Sequence, residues 1–118
     1  MERSVLVVDD DPAFRELAKR MVTAAGLTVV GEAGTVAEAM TEATATKPAA
    51  ALVDVDLPDG NGIDLAHQLT ALPWAPRVLL TSVNAEAAGP DDVRRSGACG
   101  FVHKANLPDG TLRRLLGD

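Results

Sequence analysis

Apolar residues along this chain fall into two alternating patterns. Continuous runs recur at 4–10 (SVLVVDD), 27–33 (LTVVGEA), 49–55 (AAALVDV), 77–83 (RVLLTSV) and 99–104 (CGFVHK). An aliphatic run without alternation predicts a strand buried on both faces. Between the runs, apolar residues return every three or four positions. Phe14, Leu17, Ala18, Met21 and Ala25 form one such set; Val36, Ala39, Met40 and Ala43 a second; Ile63, Leu65, Ala66, Leu69 and Leu72 a third. That spacing predicts amphipathic helices. A short, weakly periodic helix is predicted from Pro90 to Ser96, and a last one over roughly 108–116 with Leu112, Leu115 and Leu116 apolar.

The punctuation agrees with this division. Asp11 reads as an N-cap with Pro12 at the first helical position, and Gly26 closes that helix. Thr35 and Glu38 make a capping-box signature, and Pro48 marks the end of the second helix. Asn61 and Gly62 lead into the third, which Pro73 stops.

Five strands alternating with five helices predict an α/β fold with parallel strands, right-handed crossovers and helices on both faces of the sheet. In such sheets ligands bind beyond the carboxyl ends of the strands, where strand order reverses. Those ends carry Asp9 and Asp10, then Asp54, then Thr81 and Ser82, then Lys104. Three carboxylates gathered in one small space repel each other and need compensation. A hard divalent cation such as Mg²⁺ takes oxygen ligands of this kind. Lys104 is a partner for Asp54, and a strand-end hydroxyl is a donor to anionic oxygens.

Composition narrows the picture. At 118 residues the chain is one domain, with neither repeat nor linker. Aromatics are 3%, so the core must be aliphatic. A formal charge of −6 argues against direct nucleic-acid contact and favours cations or a basic partner surface. No run is long and apolar enough to predict a membrane span, and the N-terminal run is short and ends in acid, unlike a signal peptide. Cys99 is alone and cannot form an internal disulfide, which predicts a cytoplasmic setting. Cys99 reads as a small buried hydrophobe, Trp74 as loop packing, His67 as a surface residue and His103 as structural.

The segments VLVVDDDP, LVDVDLPDGNG, VLLTS and GACGFVHKA, in this order and over the whole chain, resemble the receiver domain of two-component response regulators. The resemblance implies a flavodoxin-like, doubly wound sheet of order 2-1-3-4-5 with five helices, and residues 1–118 as a single receiver domain without an effector domain. It implies that Asp54 accepts a phosphoryl group from a histidine kinase or phosphotransfer protein. Asp9 and Asp10 match the acid pair that, with Asp54 and the backbone carbonyl of Asp56, holds Mg²⁺; Asp10 is the direct ligand and Asp9 acts largely through water. Lys104 assists the transfer. Ser82 matches the switch hydroxyl, with adjacent Thr81 as the alternative, and Phe101 matches the aromatic that responds to it. The readout is the face formed by the fourth helix, fifth strand and fifth helix, which controls a downstream protein or an output domain, with a phosphorylation-dependent homodimer as one outcome. Asp56 and Asn84 are candidates for tuning the lifetime of the phosphoryl group.

Two departures stand out. Ala105 follows the lysine where many receivers carry proline, and NAEAAGPDDVRRSG is poor in apolar helix positions, which predicts a short signalling face. Other classes fit less well. VDVDLPDG imitates the Asp-x-Asp motif of haloacid-dehalogenase-like phosphatases, but here it follows the third strand and not the first. Pro58 stands where a calcium loop needs an oxygen ligand, and the acids of DDDP would repel nucleotide phosphates. A receiver fold used as a phosphorylation-independent binding module is opposed by the near-complete set of site residues.

Overall fold

A computed structural model describes residues 3–116. The apolar runs pair as one parallel sheet of β1 (Ser4–Val8), β2 (Thr28–Ala33), β3 (Ala50–Asp54), β4 (Arg77–Ser82) and β5 (Gly100–His103), in the order β2-β1-β3-β4-β5. The helical sets form α1 (Pro12–Ala24), α2 (Val36–Thr46), α3 (Gly62–Thr70), α4 (Pro90–Ser96) and α5 (Thr111–Leu116). Strand order reverses between β1 and β3, which places the crevice at their carboxyl ends.

Strand periodicity divides the core into two layers. Leu6, Val8, Ala51, Val53, Val78 and Leu80 pack against Ala39 and Ala43 of α2 and Leu65, Ala66 and Leu69 of α3. The alternate positions Val5, Val7, Ala50, Leu52 and Leu79 pack against Ala18 and Val22 of α1 and Leu112 and Leu116 of α5. The leucines at 6, 52, 65, 69, 79 and 80 are fully buried, and cutting any one back to Ala costs about 2–5 kcal/mol. These layers hold the strand ends in place.

Helix ends follow the sequence with informative differences. Asp11 accepts from the Ala13 N–H at 3.0 Å. Gly26, at φ 86°, turns the chain out of α1 in the left-handed region that glycine enters without strain. Thr35 accepts from the Glu38 N–H at 3.0 Å, but the Glu38 carboxylate reaches back to the Gly34 N–H rather than to that of Thr35. Two more α2 amides, Val36 and Ala37, are satisfied from far along the chain by the Asp59 carboxylate, at 2.7 and 3.1 Å. These hydrogen bonds hold the Asp59 carboxyl below its ordinary pKa, the Val36 N–H being the largest cause.

β1 ends at Val8, so Asp9 and Asp10 lie just beyond the ladder, and α3 ends at Thr70, before Pro73. Between β3 and α3 the chain forms a small hairpin, Asp56–Leu57 against Gly60–Asn61. The final helical segment is not continuous as the sequence predicts. Residues 104–109 form a 3₁₀ helix, Gly110 at φ 91° breaks it, and α5 starts afresh. The expected apolar position Leu115 lies outside the described side chains.

Candidate functional site

Sheet register brings the candidate residues together. Val8 pairs with Val53, so the residues that follow, Asp9 and Asp54, are neighbours across the β1–β3 boundary. Asp54 pairs with Thr81, and Ser82 pairs with His103, immediately before Lys104.

Asp9 is buried and held at several points. Its Oδ1 accepts from the Asp11 N–H at 2.9 Å, and its backbone carbonyl accepts from Arg15 Nη1 at 2.6 Å. Arg15 is itself fixed by Glu32 of β2 at 2.9 Å. Asp54, 5% exposed, accepts from the Asp56 N–H through Oδ1 at 3.1 Å. Lys104 Nζ lies 2.7 Å from Asp9 Oδ2 and 3.5 Å from Asp54 Oδ2. The same ammonium sits 4.1 Å from the centroid of the Phe14 ring, a cation–π contact. Lys104 is thus clamped between two carboxylates and an aromatic face.

The electrostatics follow from this packing. Desolvation pushes the Asp54 pKa up to about 6; the Asp56 N–H and Lys104 oppose the rise, and the Asp9 charge adds to it. Burial works against the Lys104 ammonium, but Asp9 and Asp54 outweigh it and hold the lysine above its ordinary value.

One oxygen from each of Asp9, Asp10 and Asp54 lies within 4.8 Å of the others, Asp10 on the solvent side. Three carboxylates against one ammonium leave an uncompensated negative charge. Asp9 Oδ2 is buried and receives no aligned hydrogen bond; its near partner is the Lys104 charge. An all-oxygen donor set with one exposed member suits a hard, partly hydrated cation such as Mg²⁺ and suits soft metals poorly.

The two candidate hydroxyls point differently. Thr81 Oγ1 donates to the Val102 carbonyl at 2.8 Å, within the sheet. Ser82 Oγ donates to Asp56 Oδ2 at 3.2 Å and accepts from the Asn84 N–H at 3.0 Å, on the site side. The Asn84 side chain accepts from the Glu86 N–H and closes a local turn. Phe101 is half-buried against the layer that contains α2 and α3.

Gly62 makes the site possible. A Cβ there would lie 2.1 Å from the Asp54 carbonyl oxygen. Only glycine lets the first turn of α3 approach so close behind the backbone of Asp54. Phe14, Arg15, Asp59 and His103 also shape the site without having been singled out from the sequence for it. Phe14 alone carried a signal, as one of two phenylalanines in an aromatic-poor chain.

The response regulator receiver domain family matches residues 5–115. Over 105 residues the chain is 41% identical to the DNA-binding transcriptional activator DevR/DosR of Mycobacterium tuberculosis, covering 88% of this chain and 48% of that protein. It is 29% identical to the chemotaxis protein CheY of Thermotoga maritima, covering 98% and 96% respectively. The crystal structure of a LuxR-family two-component response regulator from Aurantimonas superposes with a TM-score of 0.84 at 28% identity, over 99% of this chain and 87% of that one. The chain therefore spans about half the length of DevR/DosR and nearly all of CheY. No helix among the described residues is long and apolar enough to cross a membrane.

Proposed function

The chain belongs to the response regulator receiver domain family, and from that premise we propose that Asp54 is its phosphoryl acceptor. The observation that carries this reading is the Lys104 ammonium, 2.7 Å from Asp9 and 3.5 Å from Asp54, beside an acidic cluster at the strand ends.

In the reaction, an Asp54 carboxylate oxygen forms a bond to phosphorus as the P–N bond to a donor phosphohistidine breaks. The bonding pair returns to the imidazole nitrogen. With a pKa of about 6, Asp54 is ionised at neutral pH yet poorly solvated, which favours it as a nucleophile. Lys104 is placed to meet the incoming phosphoryl oxygens. Asp10, Asp54 and the Asp56 carbonyl, with Asp9 behind them, would hold Mg²⁺, whose chemistry is to neutralise charge on the transferring group. Ser82 then exchanges Asp56 for a phosphoryl oxygen, Phe101 repacks, and the α4–β5–α5 face changes. Water later attacks phosphorus and restores the carboxylate.

The domain is a phosphoacceptor regulator and not a turnover enzyme. Its partners are a kinase or phosphotransfer protein upstream and a protein or output domain downstream, in the cytoplasm; a phosphorylation-dependent homodimer is one mode of output. Asp56 and Asn84 set the phosphoryl lifetime, and an Asp56→Asn variant with an unchanged dephosphorylation rate would count against Asp56.

The test is intact mass after incubation with Mg²⁺ and a small acyl-phosphate donor. One phosphate on the wild type, absent from Asp54→Asn and without Mg²⁺, is the expected result. Mg²⁺ binding without any adduct would overturn the reading in favour of a phosphorylation-independent binding module.

A further inference from the structure

His103 makes two contacts that no part of the mechanism above uses. It is the last residue of β5, directly opposite Ser82 in the register. Its Nε2 lies 2.7 Å from the Val83 carbonyl oxygen, one residue past Ser82. Its Nδ1 accepts from the Ala105 N–H at 3.3 Å and so caps the 3₁₀ turn that begins with Lys104. Since Nδ1 is an acceptor, the ring proton sits on Nε2 and is donated to Val83. One imidazole in one tautomer joins the backbone on either side of the site.

The position of each bond gives it consequence. Val83 is 72% exposed, so side-chain burial does little to hold this segment. The Ala105 amide is a donor that a proline at this position would lack. The ring therefore restrains the Ser82 strand end and the lysine turn together.

We propose that His103 is a positioning residue that couples the turn carrying Lys104 to the strand end carrying Ser82. When Ser82 leaves Asp56, the Val83 carbonyl moves with it, and the ring carries that displacement into the cap on Ala105. The inference rests on the phosphoacceptor reading for its functional meaning, but the linkage is a physical claim in its own right.

Three variants separate the two bonds. His103→Asn keeps an acceptor near the Nδ1 position and removes the donor to Val83. His103→Gln keeps a donor near the Nε2 position and removes the cap. His103→Leu removes both. Amide hydrogen exchange and phosphate uptake from an acyl-phosphate donor are measured on each intact domain, with ¹⁵N shifts of the wild-type ring. The wild type should show the Nε2–H tautomer. Exchange should quicken at Asn84 alone in the Asn variant, at Ala105 alone in the Gln variant and at both in the Leu variant. Uptake should fall about fivefold in the Leu variant, the scale of losing a hydrogen bond, and recover partly in the other two. An Nδ1–H tautomer, wild-type uptake in the Leu variant, or the same exchange pattern in all three would overturn the proposal. If the wild type takes up no phosphate, the phosphoacceptor reading fails, and the exchange pattern still decides the linkage.

Discussion

The centre of the sheet and its β5 edge are built to different standards. Every residue of β3 is buried, whereas every residue of β5 is only partly so. α1, α2 and α3 have 13, 11 and 9 residues; α4 and α5 have 7 and 6. The strand that carries Asp54 is fixed by apolar burial on both faces. The β5 edge and α4 are tied in by single polar links, such as Thr81 to the Val102 carbonyl, the Cys99 N–H to the Val78 carbonyl and Thr70 Oγ1 to the Ser96 carbonyl. The exposed pairs along α4, Arg94 with Asp91 and Arg95 with Asp92, contribute little. Under the proposed function, a phosphoryl group on Asp54 would meet a fully buried strand on one side and a less buried edge on the other.

The comparison breaks most readily at glycine. Gly62→Ala drives a Cβ into the Asp54 carbonyl and is expected to destabilise by about 3 kcal/mol. Gly110→Ala meets no atom within 4 Å and carries only the strain of φ 91°, about 1 kcal/mol. Urea unfolding of both variants measures the contrast directly; equal losses would remove the distinction between the packed centre and the β5–α5 edge.

The next effect is electrostatic. The Asp54 pKa is raised from 3.8 to about 6, so the folded protein binds that proton more tightly than the unfolded chain. In metal-free buffer this contribution to stability is therefore fully present below pH 4 and is lost as pH rises from 4 to above 6. The difference corresponds to about 3 kcal/mol. Asp54→Asn is expected to recover about 2 kcal/mol of it at pH 7 and to flatten the slope. A variant with an unchanged pH profile of unfolding would show that Asp54 is not the buried acid responsible.

The smallest effect sharpens the contrast from α1, where Phe14 packs against the central strands. Phe14→Leu keeps an apolar side chain against the core and removes the aromatic face beneath Lys104. Phosphate uptake should slow about threefold, the scale of one exposed-to-partly-buried cation–π contact, with little change in thermal unfolding. An unaltered time course by mass would show that the two carboxylates alone orient the lysine.

Legibility in the sequence cuts across that divide, since β5 and α4 are read from the sequence as well as the central strands are. β1, β3 and β4 were readable because strands buried on both faces need unbroken aliphatic runs. The clustering of Asp9, Asp10 and Asp54 was readable because parallel topology collects strand ends on one rim. α4 was short in the sequence and is short in the fold. What escaped were contacts without a local pattern. Asp59 reaches α2 across more than twenty residues, and Arg15 braces the Asp9 backbone from α1. The break at Gly110 is signalled by the turn residues Pro108, Asp109 and Gly110, and it is masked only by the leucines spaced on either side of them. Register decided between Thr81 and Ser82 as the hydroxyl facing Asp56: side chains alternate along β4, and counting residues could not fix the phase.

The Asp59 clasp on α2 also makes the hairpin that follows Asp54 a part of fixed length. Its tip must reach Val36 and Ala37 while its base stays on Asp54. One inserted residue between Leu57 and Gly60 would force the chain to surrender one attachment or the other. A sensor module or split-reporter junction grafted into that loop would therefore report on its own disruption. The same graft at the 73–76 turn, at the opposite end of the sheet, would leave both attachments intact.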